Sequence, residues 1–481
     1  TRDGGKTWDN VTEKIPGLPE GIYVSEVVPS RFDEAVVYAT FDGHRLNDFT
    51  THVYASADYG QTWRRISANL RDEVARTLTE DTRNPDILYL GTETGLFVSL
   101  DRGASWQRMK GNLPTVRIDE ITLHPRDNAM ILATHGRTIW ILDHLEPVQE
   151  LAAARAAISA GAVADLFTPP PFAWYQRPAR DRNYEFWGDQ VFYGQNPPTA
   201  ARLSWYQKAP VSTLALRITD ESGRQVREIS GAMLAGANKA GINMACWDMR
   251  LQPVPSAAPP ATPAQTPQGG TPGSPFGAGC GGAFGGGGGG GRGGISPLGP
   301  FVLPGTYNVT LVVDGTAVET QPLKVIADAQ VALTDAERKT LFDRATELHE
   351  LQQRVVEVSG PIGRLNQRAD ALAKQLETRR DVPARVKARF EAFRKDLAAV
   401  AAKFAAPVGF GGGQNPSLVA RMAQAKNALM GSMPPTDLTL RTYADVRAEA
   451  PAAIDEAKAV LARVDAINRD LARYKLTLDP Q

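Results

Sequence analysis

Seven residues in the first third of the sequence carry side chains suited to chemistry. Asp42, His44, Arg45 and Asp48 share one short stretch, Glu93 follows, and His135 stands beside Arg137 farther on. His and Arg donate hydrogen bonds to anions, while ionised Asp and Glu accept from hydroxyls or hold a cation. Two carboxylates are also what a glycosidase needs, an acid and a base or nucleophile across the scissile bond. Asp42, Asp48 and Glu93 supply those types, but nothing in their spacing selects a pair, so no catalytic residue is assigned. The same side chains serve equally as bridges between neighbouring loops. Ligand binding and structural bridging both stand as readings.

A repeat must position them. Thr1-Arg2-Asp3-Gly4-Gly5-Lys6-Thr7-Trp8, Ser56-Ala57-Asp58-Tyr59-Gly60-Gln61-Thr62-Trp63 and Ser99-Leu100-Asp101-Arg102-Gly103-Ala104-Ser105-Trp106 share the pattern S/T-x-D-x-G-x-T/S-W. Asp3, Asp58 and Asp101 stand 55 and 43 positions apart, which suits about four strands and their turns per unit. Each copy reads as a tight hairpin. The carboxylate of Asp3, Asp58 or Asp101 accepts from backbone N–H groups inside the turn. Gly5, Gly60 and Gly103 allow positive φ. Trp8, Trp63 and Trp106 open the next strand and bury a large aromatic surface. Short β-rich runs flank the hairpins: Ala35–Thr40 and His52–Ala55, Asp86–Gly91 and Leu96–Val98, then Ala129–Thr134 and Ile139–Leu142.

These copies resemble the Asp-box, or BNR, repeats of sialidase-like and sortilin-like β-propellers, over residues 1–146. The resemblance implies C-terminal blades of a propeller and structural roles for the box residues. It places the box between the third and fourth strands of a blade. The loops between second and third strands then emerge on the opposite, ligand-bearing face. Here those loops are Asp42 to Thr51, Thr92 to Gly95 and His135 to Arg137. Three blades make an incomplete ring, since propellers have at least four. The expectation is that further blades precede Thr1, and that the missing signal peptide says nothing about compartment. A sialidase reaction would need an arginine cluster, a Tyr nucleophile and a supporting acid, and no full set is present. The resemblance implies an extracellular or periplasmic binding protein for a glycan or a protein. The alternatives are a sialidase-like or xyloglucanase-like hydrolase with part of its site in missing blades, and a structural assembly protein.

Residues 147–170 are Ala-rich, end in prolines, and read as a linker with a short helix. Residues 171–330 show alternating strands: Leu203–Tyr206, Leu214–Ile218, Gly241–Arg250 and Tyr307–Val313. Their G-x-N…W-D-x-R and P-G-T-Y-x-V residues resemble an Ig-like β-sandwich of the flagellar hook-capping type, with Trp247 as a core anchor. Residues 253–299 are rich in Pro and then Gly, and read as a disordered insertion. Cys280 lies in it, exposed, and Cys246 lies on a strand, buried; no bridge between them is expected.

From 331 to 481 the composition turns to Ala, Glu, Arg, Lys and Leu, and an α-helical bundle or hairpin is expected. Thr334-Asp335-Ala336-Glu337 is a capping box. Ser359-Gly360-Pro361 is expected to break the first helix, and Tyr443 to Tyr474 to form one last helix. Oligomerisation through this region is an open reading. The whole is thus multidomain: propeller blades, sandwich and helices.

The formal net charge of the 481 residues is zero, which argues against nucleic acid as a partner. No apolar run is long enough to span a bilayer. Two cysteines and six scattered histidines make no metal set, and no cofactor is expected.

Overall fold

The structure is a computed structural model and describes residues 1, 3–173, 200–255, 298–329, 331–405, 417–431 and 433–478. Most of the 253–299 insertion, with Cys280, and the glycine run 409–413 lie outside the described residues. The chain forms two compact units. The first comprises Thr1–Thr168, Ser204–Lys208 and Ala240–Ile242, and the second the remainder.

The first unit is built on three antiparallel meanders. β1 (Tyr23–Pro29), β2 (Val37–Asp42), β3 (His52–Ser56) and β4 (Arg64–Arg65) form one sheet in sequence order. β5 (Ala75–Glu80), β6 (Leu88–Thr92), β7 (Leu96–Ser99) and β8 (Gln107–Arg108) form the next. β9 (Ile118–His124), β10 (Ala129–Thr134) and β11 (Ile139–Leu142) form a third, with three strands. Successive sheets stack face to face as blades. Tyr38, Val53 and Ala55 of the first pack on Ala75, Leu78 and Leu90 of the second. Tyr89, Leu96 and Val98 of the second pack on Ile118, Ile121 and Leu132 of the third. The runs listed from sequence fall on the second and third strands of each blade. The first strands, β1, β5 and β9, were not among them.

The aspartate hairpins share one set of bonds. Asp58 accepts from the Gln61 and Thr62 N–H groups at 3.0 and 2.8 Å, and from the hydroxyls of Ser56 and Thr62 at 2.8 and 2.6 Å. Asp3 does the same with Lys6, Thr7 and Thr1, and Asp101 with Ser99 and Ser105. Trp8 and Trp63 donate to the carbonyls of Gly5 and Gly60 within their own turns. Trp106 instead reaches the Ile66 carbonyl of the preceding blade at 2.6 Å. That approach brings Gly103 (φ +82°) so close that a Cβ there would lie 2.8 Å from Ile66, whereas at Gly60 (φ +79°) it would meet only the Trp63 ring at 3.8 Å. Both Gly60→Ala and Gly103→Ala should lose about 1 kcal/mol to the left-handed backbone. Gly103→Ala should lose about 1–2 kcal/mol more to overpacking, read by chemical denaturation. Equal losses in the two variants would mean that the contact with Ile66 is without cost.

The stretch read as a linker is more structured than that. It holds α1 (Glu146–Gln149), α2 (Leu151–Ser159) and β12 (Ala164–Leu166). β12 pairs antiparallel with β14 (Ala201–Gln207), Ala164 opposite Gln207. Leu151, Ala154 and Phe167 make a small core of their own.

In the second unit a five-stranded sheet runs in the order β13 (Phe172–Ala173), β19 (Thr316–Ile326), β18 (Gly305–Val313), β15 (Leu214–Thr219), β16 (Gln225–Ser230). β17 is Gly241–Trp247. The Trp247 ring is fully buried, edge-on to Tyr307, with its indole N–H on the Arg250 carbonyl. Cys246 is disulfide-bonded, which corrects the expectation of an unbridged thiol; the only other cysteine of the sequence is Cys280. Around 250 and 300 two segments meet. Leu251 N–H donates to the Pro300 carbonyl at 2.9 Å, Val302 N–H to Met249 at 2.8 Å, and Arg250 lies 3.7 Å over the Phe301 ring.

The helices are α3 (Asp335–Thr378), α4 (Ala384–Phe404), α5 (Leu418–Leu429), α6 (Asp437–Leu461) and α7 (Val464–Ala472). The capping box is formed, Glu337 N–H on the Thr334 hydroxyl and Thr334 N–H on the Glu337 carboxylate. Contrary to the expected break, α3 continues through Pro361. Val355, Val358, Ile362 and Leu365 around the proline are buried against the other helices, and that packing outweighs the lost hydrogen bond. The last helix is two: α6 starts earlier, capped by Thr436, runs through Pro451, and ends before α7.

One polar cluster ties this bundle to the strand ends. Lys426 of α5 is fully buried and donates to the Leu298 carbonyl at 2.7 Å, the Gln352 side chain at 2.5 Å and His349 Nδ1 at 3.3 Å. His349 Nε2 donates to the Gln252 carbonyl at 2.8 Å. Burial pushes the Lys426 amine down to about 7, helped by the cation of Arg250. Burial likewise takes His349 down to about 4, so the ring is neutral near pH 7.

Candidate functional site

Strand registers place three of the seven candidates at one station. Asp42 ends the second strand, paired with Tyr23. Glu93 holds the same place in the next blade, its N–H on the Val74 carbonyl at 3.1 Å, and His135 in the third, its N–H on Arg117 at 3.0 Å. Facing them, the first strand of each blade carries a bulge at its start. The register shifts between Val24 and Glu26, between Ala75 and Thr77, and between Ile118 and Glu120. The extra residues are Ser25, Arg76 and Asp119. A bulge re-aims its side chain out of the ladder; Arg76 and Asp119 reach that row, whereas Ser25 bonds the Thr40 hydroxyl and the Ala75 carbonyl.

The result is an alternation of charge across three blades. Arg76 Nη1 meets Asp42 Oδ2 at 2.7 Å, and its Nε donates to Glu93 Oε1 at 2.7 Å. One guanidinium thus joins acids of two adjacent blades. Arg117 lies 4.0 Å from Glu93, 2.7 Å from Asp119 and 2.7 Å from His135 Nδ1. At the other end Asp42 accepts from His44 N–H at 3.0 Å and from His44 Nδ1 at 2.6 Å. Burial alone would raise the Asp42 carboxyl, but the His44 hydrogen bonds and the Arg76 charge outweigh it and hold the pKa below the usual range.

Asp48 is not part of the row. It accepts from Thr50 N–H at 2.9 Å and from His52 Nε2 at 2.7 Å. Burial opposes, but those bonds bring it down to about 2. Its backbone closes the loop on Gly43, with Asn47 in the left-handed region. Arg45 is exposed and stands 5.9 Å over the Tyr23 ring. Arg45, Leu46, Tyr23, Val24 and Asp42 line an open cavity of about 430 Å³. Phe49 is exposed on the same loop. His135 and Arg137 are exposed at the third loop, where the Arg137 carbonyl takes the Trp140 indole N–H at 2.9 Å.

Asp42, His44, Glu93 and His135 therefore join one network of hydrogen bonds and ion pairs, Arg45 and Arg137 flank it, and Asp48 turns to His52. The connecting residues Arg76, Arg117 and Asp119 escaped the sequence reading. A bulge breaks the period-two pattern by which a strand is recognised. One regularity would have found them: β5 and β9 each start twelve residues after the hairpin tryptophan, Trp63 and Trp106. Among the described residues no group of three or more His, Cys, Asp or Glu is placed to hold a metal ion.

Residues 51–150 match the family described as Sortilin-Vps10, sortilin, neurotensin receptor 3. Together with the stacked meanders, this makes the first unit part of a β-propeller protein. No curated protein sequence matches the chain. Among solved structures, it is similar to a GH74 xyloglucanase from Xanthomonas campestris, at 17% identity and a TM-score of 0.20, over 24% of this chain and 20% of that one. It is similar to a GH74 enzyme of Niastella koreensis at 17% identity and TM-score 0.22, over 25% of this chain and 21% of that one. A third is the extracellular domain of a putative one-component system from B. thetaiotaomicron, at 9% identity and TM-score 0.19, over 64% of this chain and 30% of that one. The chain spans about a fifth of the length of the two GH74 enzymes.

Proposed function

We propose that this is a binding protein that takes a glycan on the propeller face carrying Asp42, Glu93 and His135, in an extracellular or periplasmic setting. A protein surface is the other class of ligand the face would suit. The reading keeps Asp-box blades over 1–146, an Ig-like module over 171–330 and helices over 331–481. The observation that carries it is the pairing of the acids. Asp42 shares the Arg76 guanidinium with Glu93, and Asp42 and Asp48 both titrate below the ordinary carboxylate range. A general acid needs a raised pKa. Asp42 is buried and fixes the row, Glu93 reaches solvent as an acceptor for hydroxyls, and His44, Arg45, His135 and Arg137 stand by as exposed donors. Exposed Tyr23 and Phe49 add apolar surface of the kind a sugar ring lies on.

Cys246 is disulfide-bonded, and disulfides persist in oxidising compartments, which supports the setting. Among the described residues no helix is long and apolar enough to cross a membrane.

A glycan array tests the reading. The wild type should retain a defined set of glycans, and Arg45→Ala/Arg137→Ala should lose them by tenfold or more. Retention of none by the wild type overturns the carbohydrate reading. Release of reducing sugar from xyloglucan by the wild type would return the hydrolase reading to first place.

A further inference from the structure

The connection between the first two blades frames a second polar recess, apart from the row of Asp42, Glu93 and His135. Thr50 and Thr51 of the Asp42 to Thr51 loop, with Arg65, Ser67, Arg71 and Asp72, line an open cavity of about 340 Å³. Its walls are held from behind. Asn69 Nδ2 donates to the Trp106 carbonyl of the next blade at 2.8 Å, and Trp106 N–H donates back to Asn69 Oδ1 at 2.9 Å. Leu70 N–H closes a turn on the Ser67 carbonyl at 3.0 Å. Glu73 N–H donates to the Thr51 hydroxyl at 3.2 Å, and the Glu73 carboxylate accepts from the Thr92 and Thr94 hydroxyls at 2.8 and 2.6 Å. Arg71 and Asp72 span the gap between these fixed points, and Asp72 takes a left-handed backbone (φ +56°). Such a conformation persists in a residue other than glycine only where the surroundings impose it, binding sites among them.

Two cations line the recess, and they arrive by different routes. Arg65 donates through Nε to the Ser67 hydroxyl at 2.9 Å and through Nη2 to the Thr51 carbonyl at 2.7 Å. Arg108, placed after Trp106 as Arg65 is after Trp63, makes the same bond to the Thr94 carbonyl. The blade itself therefore fixes the Arg65 guanidinium, which spends two of its five N–H donors in this way. Arg71 is no such blade feature. At its place and the next, counted from each hairpin tryptophan, the other two repeats have Pro16-Gly17 and Pro114-Thr115, so the fold asks for neither charge. Arg71 and Asp72 are exposed, and among the described residues their side chains have no hydrogen-bond or ion-pair partner.

Guanidinium groups recognise carboxylates through a planar fork of N–H donors. Threonine hydroxyls and a carboxylate exchange hydrogen bonds with sugar hydroxyls, and Leu70 adds an apolar patch to the lining. We propose that this recess is a subsite for a uronic acid residue, its carboxylate between Arg65 and Arg71 and its hydroxyls on Thr50 and Asp72. The inference rests on the reading of this face as one that binds a glycan, and it narrows that glycan to an acidic one. Asp72 tunes the selectivity. One acid beside two arginines leaves the lining with a single positive charge in excess, which suits one carboxylate among hydroxyls and not a bare polyanion.

Isothermal titration of the full chain tests it. The probes are oligosaccharides of galacturonate, mannuronate and glucuronate, their carboxyl-reduced neutral counterparts, and triglutamate as a sugar-free polyanion. The wild type should bind at least one uronate about tenfold more tightly than its neutral counterpart or triglutamate, the worth of a hydrogen bond between charged groups. Arg71→Ala, at an exposed position without partners, should be folded by far-UV circular dichroism. It should lose about tenfold in uronate affinity and nothing for neutral glycans. Arg71→Lys should recover only part, since an ammonium lacks the fork. Triglutamate bound as tightly as the uronate overturns the proposal, because the recess would then read charge and not a sugar. Unchanged uronate affinity in Arg71→Ala overturns it as well. If the wild type binds neutral glycans that Arg45→Ala/Arg137→Ala loses, yet takes no uronate, the subsite fails and the glycan reading of the face stands. If it binds no glycan of either kind, both fail.

Discussion

Replacing Arg76 with alanine should destabilise the blade unit by about 3 kcal/mol, the cost of leaving one partner of a buried ion pair uncompensated. Asp42 is almost fully buried, and without Arg76 its carboxylate keeps only the two bonds from His44. Glu93 is less costly to abandon, since it reaches solvent. The loss should be visible as faster hydrogen exchange in β2 and β5, whose edges Arg76 ties together. Arg76→Lys should recover less than half, because a single ammonium cannot present the fork that holds both acids. The pH dependence follows from the sign of the shift. In the wild type the Asp42 carboxyl titrates below its unfolded value of about 4. Its contribution is therefore complete above pH 4 and is lost as pH falls through the folded value. In Arg76→Ala burial is opposed less, the folded value rises, and this loss on acidification between pH 5 and 3 should shrink. Unchanged exchange in β2 and β5 would show that the bridge contributes no stability.

The second large effect concerns Lys426. Its folded pKa of about 7 lies below the unfolded value near 10.5. Between those limits the unfolded chain binds more protons, so stability rises with pH. From pH 7 to pH 9 the gain should be about 2–3 kcal/mol, at about 1.4 kcal/mol per pH unit, less what the lysine still binds in the fold. Urea unfolding followed at 222 nm, where the helices dominate, should show this rise in the wild type and not in Lys426→Met. His349 adds little in that window, since it is neutral in the fold and mostly so in the unfolded chain, where its pKa is about 6.5. Equal slopes in the two proteins would mean that the amine is solvated, against its burial.

What the sequence makes legible follows from what each signal depends on. The hairpins are readable because Asp58, Gly60 and Trp63 interact within eight residues of one another, so type and spacing carry the whole geometry. The row of Asp42, Glu93 and His135 is readable once the hairpins set the blade phase. Arg76 is not, because its role depends on a bulge and on an acid in the adjacent blade. Pro361 misleads for the opposite reason. A strong local signal is overridden by burial of Val358 and Ile362, which only the packed bundle reveals. Lys426 gives no local sign at all, since its partners lie 74 to 128 residues away.

The pairing of Leu251 with Pro300 and of Met249 with Val302 has an evolutionary consequence. Because the polypeptide departs and returns at neighbouring points of one ladder, the length between them is nearly decoupled from stability. Doubling such a stretch adds only about 0.6 kcal/mol of closure cost. Homologues should therefore vary most in size at this junction, and it is the natural graft point for a foreign tag or an entire extra module.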